Sequence, residues 1–201
     1  SVRYRFTALR ELNQQLLEGS SKRKQALHEL RLTFALSPKL SSQTELRLNN
    51  ENVYVNISGR VNRYVRSRSA EVEISYRPRP QVELANAAAV IYDRDLYQTE
   101  KRPQLSVLAL SLRPRMTYSL RGKGRLSSEL EWVEVRAEPR GQTLPYELAR
   151  GNREGTTLRW NLAFEYRVSN NVNFSLSYLG RKEADRAQIA HLGKMEMRAG
   201  F

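Results

Sequence analysis

Apolar and polar residues alternate one for one through most of this chain, and no other feature narrows its fold so far. Leu30, Leu32, Phe34 and Leu36 alternate with Glu29, Arg31, Thr33 and Ala35. Val72, Ile74 and Tyr76 alternate with Glu71, Glu73 and Ser75, and Met116, Tyr118 and Leu120 with Thr117, Ser119 and Arg121. Leu158, Trp160, Leu162, Phe164 and Tyr166 face away from Arg159, Asn161, Ala163, Glu165 and Arg167, and Val172, Phe174, Leu176 and Tyr178 away from Asn171, Asn173, Ser175 and Ser177. A period of two sends successive side chains to opposite faces of a strand, whereas a helix would scatter the same residues around its axis.

The connections between these segments follow their own rhythm. Ser37-Pro38-Lys39-Leu40-Ser41, Arg77-Pro78-Arg79-Pro80, Arg113-Pro114-Arg115 and Val168-Ser169-Asn170-Asn171 read as tight turns. Longer polar segments lie between them, at 58–67, 93–103, 136–155 and 180–188. The fold class is therefore all-β, an antiparallel up-and-down meander over one domain, 1–201, with no Pro/Gly/Ser-rich linker dividing it. Soluble sandwiches with Greek-key crossings rarely keep so regular an alternation of short and long connections. The pattern predicts eleven strands, at 1–9, 14–21, 26–36, 42–57, 64–77, 81–92, 104–112, 115–135, 156–167, 171–179 and 188–201. In 104–112, Leu105 and Val107 oppose Leu108, Leu110 and Leu112, so neither face is polar. Over 8–30, Leu9, Leu12, Leu16 and Leu17 also have near-helical spacing, which leaves a helix open there.

Composition then excludes whole classes. There is no cysteine, hence no disulfide framework and no thiolate metal site. The longest purely apolar run is Ala87-Ala88-Ala89-Val90-Ile91, far short of a transmembrane helix. A strand-built membrane wall dilutes lipid-facing residues with polar ones, so low mean hydropathy does not argue against a membrane.

The last segment, Gly193-Lys194-Met195-Glu196-Met197-Arg198-Ala199-Gly200-Phe201, puts Met195, Met197, Ala199 and Phe201 on one face and Lys194, Glu196 and Arg198 on the other. A terminal Phe on the apolar face of a final amphipathic strand resembles the C-terminal signal of bacterial outer-membrane β-barrel proteins. The resemblance implies a transmembrane barrel of roughly ten to twelve strands, or the C-terminal part of a larger one, in the bacterial outer membrane. It implies that the barrel-assembly machinery reads Met195, Met197, Ala199 and Phe201, and that the short turns face the periplasm. Eleven strands would then start the chain at the outer rim, whereas such barrels ordinarily have an even number with both ends inside. That parity, together with an N-terminus lacking Met, leads to the expectation that the chain is the C-terminal part of a larger barrel.

The formal net charge of +13 is the strongest compositional anomaly. Part of it belongs to a ladder on the polar strand faces, the inner wall of such a barrel. Arg31 lies near Glu29, Arg47 near Glu45, Arg125 near Glu129, Arg167 near Glu165, Lys194 and Arg198 flank Glu196, and Arg159 belongs to the same ladder. The surplus concentrates in the longer connections, as Lys22-Arg23-Lys24, as Arg60, Arg63, Arg66 and Arg68, as Arg136, Arg140, Arg150 and Arg153, and as Arg181, Lys182 and Arg186. Arg60, Arg63, Arg66, Arg68, Arg181 and Lys182 are the candidate contacts to outer-membrane lipid and anionic glycolipid such as lipopolysaccharide, since guanidinium binds phosphate in bidentate fashion. A soluble basic β-protein binding nucleic acid or another acidic polymer would interleave basic residues with exposed aromatics. Here Tyr76, Tyr118, Trp160, Phe164, Tyr166, Phe174 and Tyr178 sit on the apolar faces instead, so no nucleic-acid partner is expected.

Nothing in the sequence points to catalysis, and no cofactor or metal is expected. The two histidines, His28 and His191, fall on the apolar face, with Ala26 and Leu30, and Ile189 and Gly193, as same-face neighbours. No serine sits beside either one. Glu71 with Glu73 and Glu129 with Glu131 share faces but lie beside basic residues, as structural ion pairs do. Gly122 and Gly124 fall on the apolar face of a strand, where they would ease curvature. The expected roles are a pore, transport or secretion-channel element. The alternative is a non-conducting anchor or adhesin-like barrel that binds glycolipid through its basic loops.

Overall fold

A computed structural model describes residues 1–15, 19–56, 62–96, 104–140, 144, 148, 150–169 and 171–199, with backbone only at 13–15, 19–21 and 55–56. The described chain is a ten-stranded antiparallel sheet whose strands follow one another in sequence order. They are β1 (Val2–Gln15), β2 (Gly19–Ser37), β3 (Leu40–Asn56), β4 (Arg63–Arg79), β5 (Val82–Asp95), β6 (Leu105–Leu120), β7 (Gly124–Glu138), β8 (Gly155–Ser169), β9 (Val172–Lys182) and β10 (Ile189–Ala199). At about 3.3 Å per residue, the 19 residues of β2 reach about 60 Å.

Two expectations change. The stretch 1–21, read as two strands with a helix left open over 8–30, is one continuous strand followed by the start of β2, with Val2 to Gln15 paired in unbroken register to Leu32 to Gly19. The count is therefore ten rather than eleven, and the parity argument for an outer start falls. Both Val2 and Ala199 lie at the end of the sheet that carries the short turns. Arg113-Pro114-Arg115 is also not a turn. It lies inside β6, and pairing with β7 lapses only from Arg113 to Pro114. Proline cannot donate to a ladder, so its cost is met by that local gap. The chain reverses instead at Arg121-Gly122-Lys123, where Arg121 has φ 38° and Gly122 φ 76°, a backbone region that favours glycine. Gly124, rather than easing curvature, opens β7 against the next strand. A Cβ there would stand 2.4 Å from the Glu165 carbonyl oxygen.

The turn end is knitted together by backbone bonds across neighbouring hairpins. Arg77 N–H donates to the Lys39 carbonyl, Ser119 N–H to Gln81 and Arg167 N–H to Lys123. Four of the connections at the other end, 57–62, 96–104, 139–154 and 183–188, fall at the long segments expected there, but β4 already begins at Arg63, and Lys22-Arg23-Lys24, expected on a connection, lies inside β2.

Register carries the alternation into two faces. On the outer face Tyr4, Leu30, Leu46, Ala70 and Val90 follow across β1 to β5, and Leu126, Phe164, Leu176 and Met195 across β7 to β10. Many of these side chains are bare, with Leu48 at 52%, Ile74 at 48% and Met195 at 73% exposure. A soluble sheet would cover such a face with a second layer. Among the described residues nothing covers it. Leu158 to Tyr166 on β8 runs about 26 Å along the strand, or about 20 Å of height at the usual tilt of barrel strands, close to a transmembrane apolar band.

Candidate functional site

The inner face is the chemically rich one, and it divides into two zones. Over most of its height it is a lattice of arginines and carboxylates. Arg31 donates to Glu45 at 2.6 Å and to Glu29 at 3.4 Å, while Glu45, nearly enclosed, also pairs with Arg47. Arg23 pairs with Glu51 at 2.7 Å and Arg159 with Glu131 at 2.8 Å. On β10, Lys194 and Arg198 hold Glu196 at 3.2 and 2.5 Å.

Two pairs reach farther than adjacent strands. Arg113 and Arg115 on β6 bond Glu71 and Glu73 on β4, at 2.8 and 2.7 Å, passing over β5. They can do so because β5 turns Ala85, Ala87 and Ala89 inward at that height, and Ala87 is 2% exposed beneath the bridges. A run of small residues, which looks like a weak apolar segment in sequence, is the floor of a two-strand ion-pair span.

Most of the expected ladder is brought together in this way, but its partners differ in places. Arg125 stands opposite Glu165, and Glu129 opposite Arg115 and Asn161. Arg167 faces Asn173. Among the described residues Arg125, Glu165 and Arg167 make no ion pair, and all three border a hollow of about 580 Å³ at the turn end with Lys123 and Arg198.

Toward the long-loop end the inner face becomes apolar on β6 and β7. Leu105 and Val107 of β6 and Val133, Val135 and Ala137 of β7 form a buried cluster, flanked by Val65 and Ala109. The β7–β8 connection supplies the rest. Its Leu148 is 2% exposed within that cluster, and Leu144 packs against it. Beyond Leu148 the chain passes Arg150 and Gly151, at φ 51° and 74°, which turn it back toward β8. Arg150 lies 3.6 Å from the enclosed carboxylate of Asp93 on β5 and donates to the Ser67 hydroxyl on β4 at 3.4 Å. From β7 to β4 is three strand spacings, about 14 Å. Arg150 thus stands across the inner face from the strand the connection leaves. Arg159 donates to Asn152 behind it, and Arg153 pairs with Asp185 of the β9–β10 connection.

The sequence held the trace of this zone, since neither face of 104–112 read as polar. Placing Arg150 among outward-pointing loop cations missed it. The other singled-out residues are spread around the sheet. Met195, Met197 and Ala199 lie on the outer face of β10, opposite Leu176, Phe174 and Val172, and Phe201 lies outside the described residues. His28 and His191 are on the outer face, each with Nδ1 2.7 Å from a tyrosine hydroxyl, of Tyr4 and Tyr178. Of the candidate glycolipid contacts, Arg66, Arg68 and Lys182 face outward. Arg63 and Arg181 face inward, Arg181 on Glu183 at 3.0 Å, and Arg60 lies outside the described residues.

No family model and no curated protein matches the sequence. Solved structures do match it. An outer-membrane expressed OmpT of Vibrio cholerae superposes with a TM-score of 0.59 at 14% identity, over 90% of this chain and 60% of that one. The trimer form of in-vitro folded OmpT, an outer membrane protein of the same organism, gives 0.58 at 14%, over 96% and 64%. The chain thus spans about three fifths of the length of these relatives. It has the fold of the bacterial outer-membrane β-barrels, an all-β antiparallel meander.

Proposed function

We propose that the chain is one barrel domain forming the wall of an outer-membrane pore, and that its water-filled interior is narrowed at the long-loop end by the β7–β8 segment. The supporting observation is the docking of the connection onto the inner wall, with Leu148 seated on β6 and β7 and Arg150 reaching Asp93 on β5 and Ser67 on β4. An outer face that can rest only against lipid puts the charged face around the lumen, where opposite charges pair along the wall and leave water its path. In this reading the barrel-assembly machinery takes the final strand by Met195, Met197, Ala199 and Phe201. The arginine–carboxylate lattice keeps the lumen wide, and the docked loop sets the passable cross-section. Planar-bilayer recording of the folded, detergent-extracted chain tests it. Discrete conductance steps are expected, and they should enlarge when Leu148→Ala loosens the loop. Silent bilayers from protein that shows heat-modifiable mobility on SDS gels would overturn the pore while leaving the barrel in place.

A further inference from the structure

Most of the inner-face arginines sit against carboxylates; three on the outer face near the long-loop end do not. Arg66 on β4 lies directly opposite Arg94 on β5, both on the outer face, and Arg68 follows two residues along β4 opposite Tyr92. All three arginines are exposed. Directly opposed side chains stand about 5 Å apart at Cβ, and like charges there destabilise a sheet. Among the described residues no carboxylate pairs with them; Glu138 on the outer face of β7 stands two strands from Arg94, beyond Ser106. The outer face of β3 offers Leu48, Asn50 and Asn52, that of β4 Tyr64 and Ala70, and that of β6 Ser106 and Leu108. Arg94 donates to the Gln104 side chain at 3.0 Å, a neutral partner, and Arg66 and Arg68 form no ion pair among the described residues.

The position of the cluster says what compensates it. Immediately toward the turn end the same strands carry the apolar band, at Ala70, Val72 and Val90. An anion seated on the three guanidiniums therefore has hydrocarbon directly beneath it. That is the geometry of a lipid whose phosphates lie at the head of its acyl chains, and guanidinium pairs with phosphate in bidentate fashion.

We propose that Arg66, Arg68 and Arg94 form a binding site on the outer wall for the phosphate groups of an anionic glycolipid in the leaflet at the long-loop end, with Tyr92 against its head and Val72 and Val90 against its chains. The site rests on the membrane reading of the outer face but not on conduction. It also gives the opposed Arg66 and Arg94 a function, because two cations forced together are a ready partner for a multiply charged headgroup.

The test uses the full chain folded in nanodiscs of zwitterionic phosphatidylcholine, with bis-phosphorylated lipid A as the probe and dephosphorylated lipid A and inorganic phosphate as comparisons. R66Q/R68Q/R94Q should weaken lipid A binding roughly a hundredfold, as loss of three near-surface cations implies. K39Q/R79Q/K123Q, which removes as many charges from the turn end, should leave binding within about twofold. R94Q alone should keep or raise the unfolding midpoint in neutral detergent while weakening lipid A, since it relieves the opposed pair. A purely structural arginine would lower that midpoint. Equal losses in the two triple variants, unchanged affinity in the first, equal binding of dephosphorylated lipid A, or full competition by inorganic phosphate would each overturn the site. Heat-modifiable mobility of every variant separates these outcomes from a failure of the barrel itself.

Discussion

Leu148→Ala is the most direct perturbation of the docked β7–β8 segment. Leu148 is 2% exposed, so docking takes nearly its whole side chain out of water. Full burial of a leucine is worth about 1.5–3 kcal/mol, and a loop end can partly collapse onto the gap, which favours a figure near 2 kcal/mol. This is free energy of docking, not of the sheet, whose ladders do not involve Leu148. At about 1.4 kcal/mol per decade, the undocked population should rise about thirtyfold. Trypsin reads that population, because Arg150 and Arg153 become cleavable when the segment leaves the wall and cleavage tracks the open fraction when reclosing is fast. Cleavage at Arg150 and Arg153 should therefore accelerate about thirtyfold, with the thermal midpoint of the barrel within experimental scatter of the parent. Single-channel steps should grow and broaden in the same samples. Arg150→Ala should act in the same direction, as it takes the facing cation from the enclosed Asp93 carboxylate. If trypsin cut parent and Leu148→Ala at the same rate, the inward loop would be wrong, however the conductance behaved.

Three further outcomes follow from the geometry of the wall. Ala87→Leu should destabilise the fold by about 1–3 kcal/mol by overpacking beneath the Arg113–Glu71 and Arg115–Glu73 bridges, seen as a lower urea midpoint, while Ala88→Leu on the outer face should be near neutral. Gly180→Ala would set a Cβ 2.0 Å from the Trp160 ring, which lies flat over the glycine. It should cost about 1–3 kcal/mol in parent protein and much less in Trp160→Ala, a non-additivity that a double-mutant cycle measures. Since the chain has no cysteine, introduced thiols report one position at a time. Ser111→Cys should react with a water-soluble maleimide in lipid-embedded protein and its neighbour Leu112→Cys should not, and the reverse pattern would turn the wall inside out.

The alternation determined the fold class and the assignment of each residue to a face, because a period of two admits no other reading once it runs through segment after segment. It also located the long connections, since 139–154 and 183–188 are polar and out of period, and it put His28 and His191 on the apolar side. Strand limits were less legible. Pro114 reads as a turn in sequence because proline usually ends pairing, and only the surrounding register shows that β6 absorbs it in a short gap of its ladder. The first strands were divided for a similar reason, as Arg10, Glu11 and Asn13 look like loop although backbone pairing does not depend on side-chain polarity.

The relations between strands distant in sequence belonged to the tertiary structure alone. Which arginine meets which carboxylate depends on register and on what lies between. Arg113 reaches Glu71 only because three inward alanines leave the space, and Arg66 confronts Arg94 only because two separate strands align at that pair. The inward course of the β7–β8 segment was decided in the same way. Its own residues do not encode a direction, and the apolar patch that receives Leu148 is assembled from β6 and β7, with Asp93 and Ser67 supplied by β5 and β4. Periodicity is a local property that a sequence displays directly. Contact between strands is settled by the register of the whole sheet, and it is there that the candidate function lies.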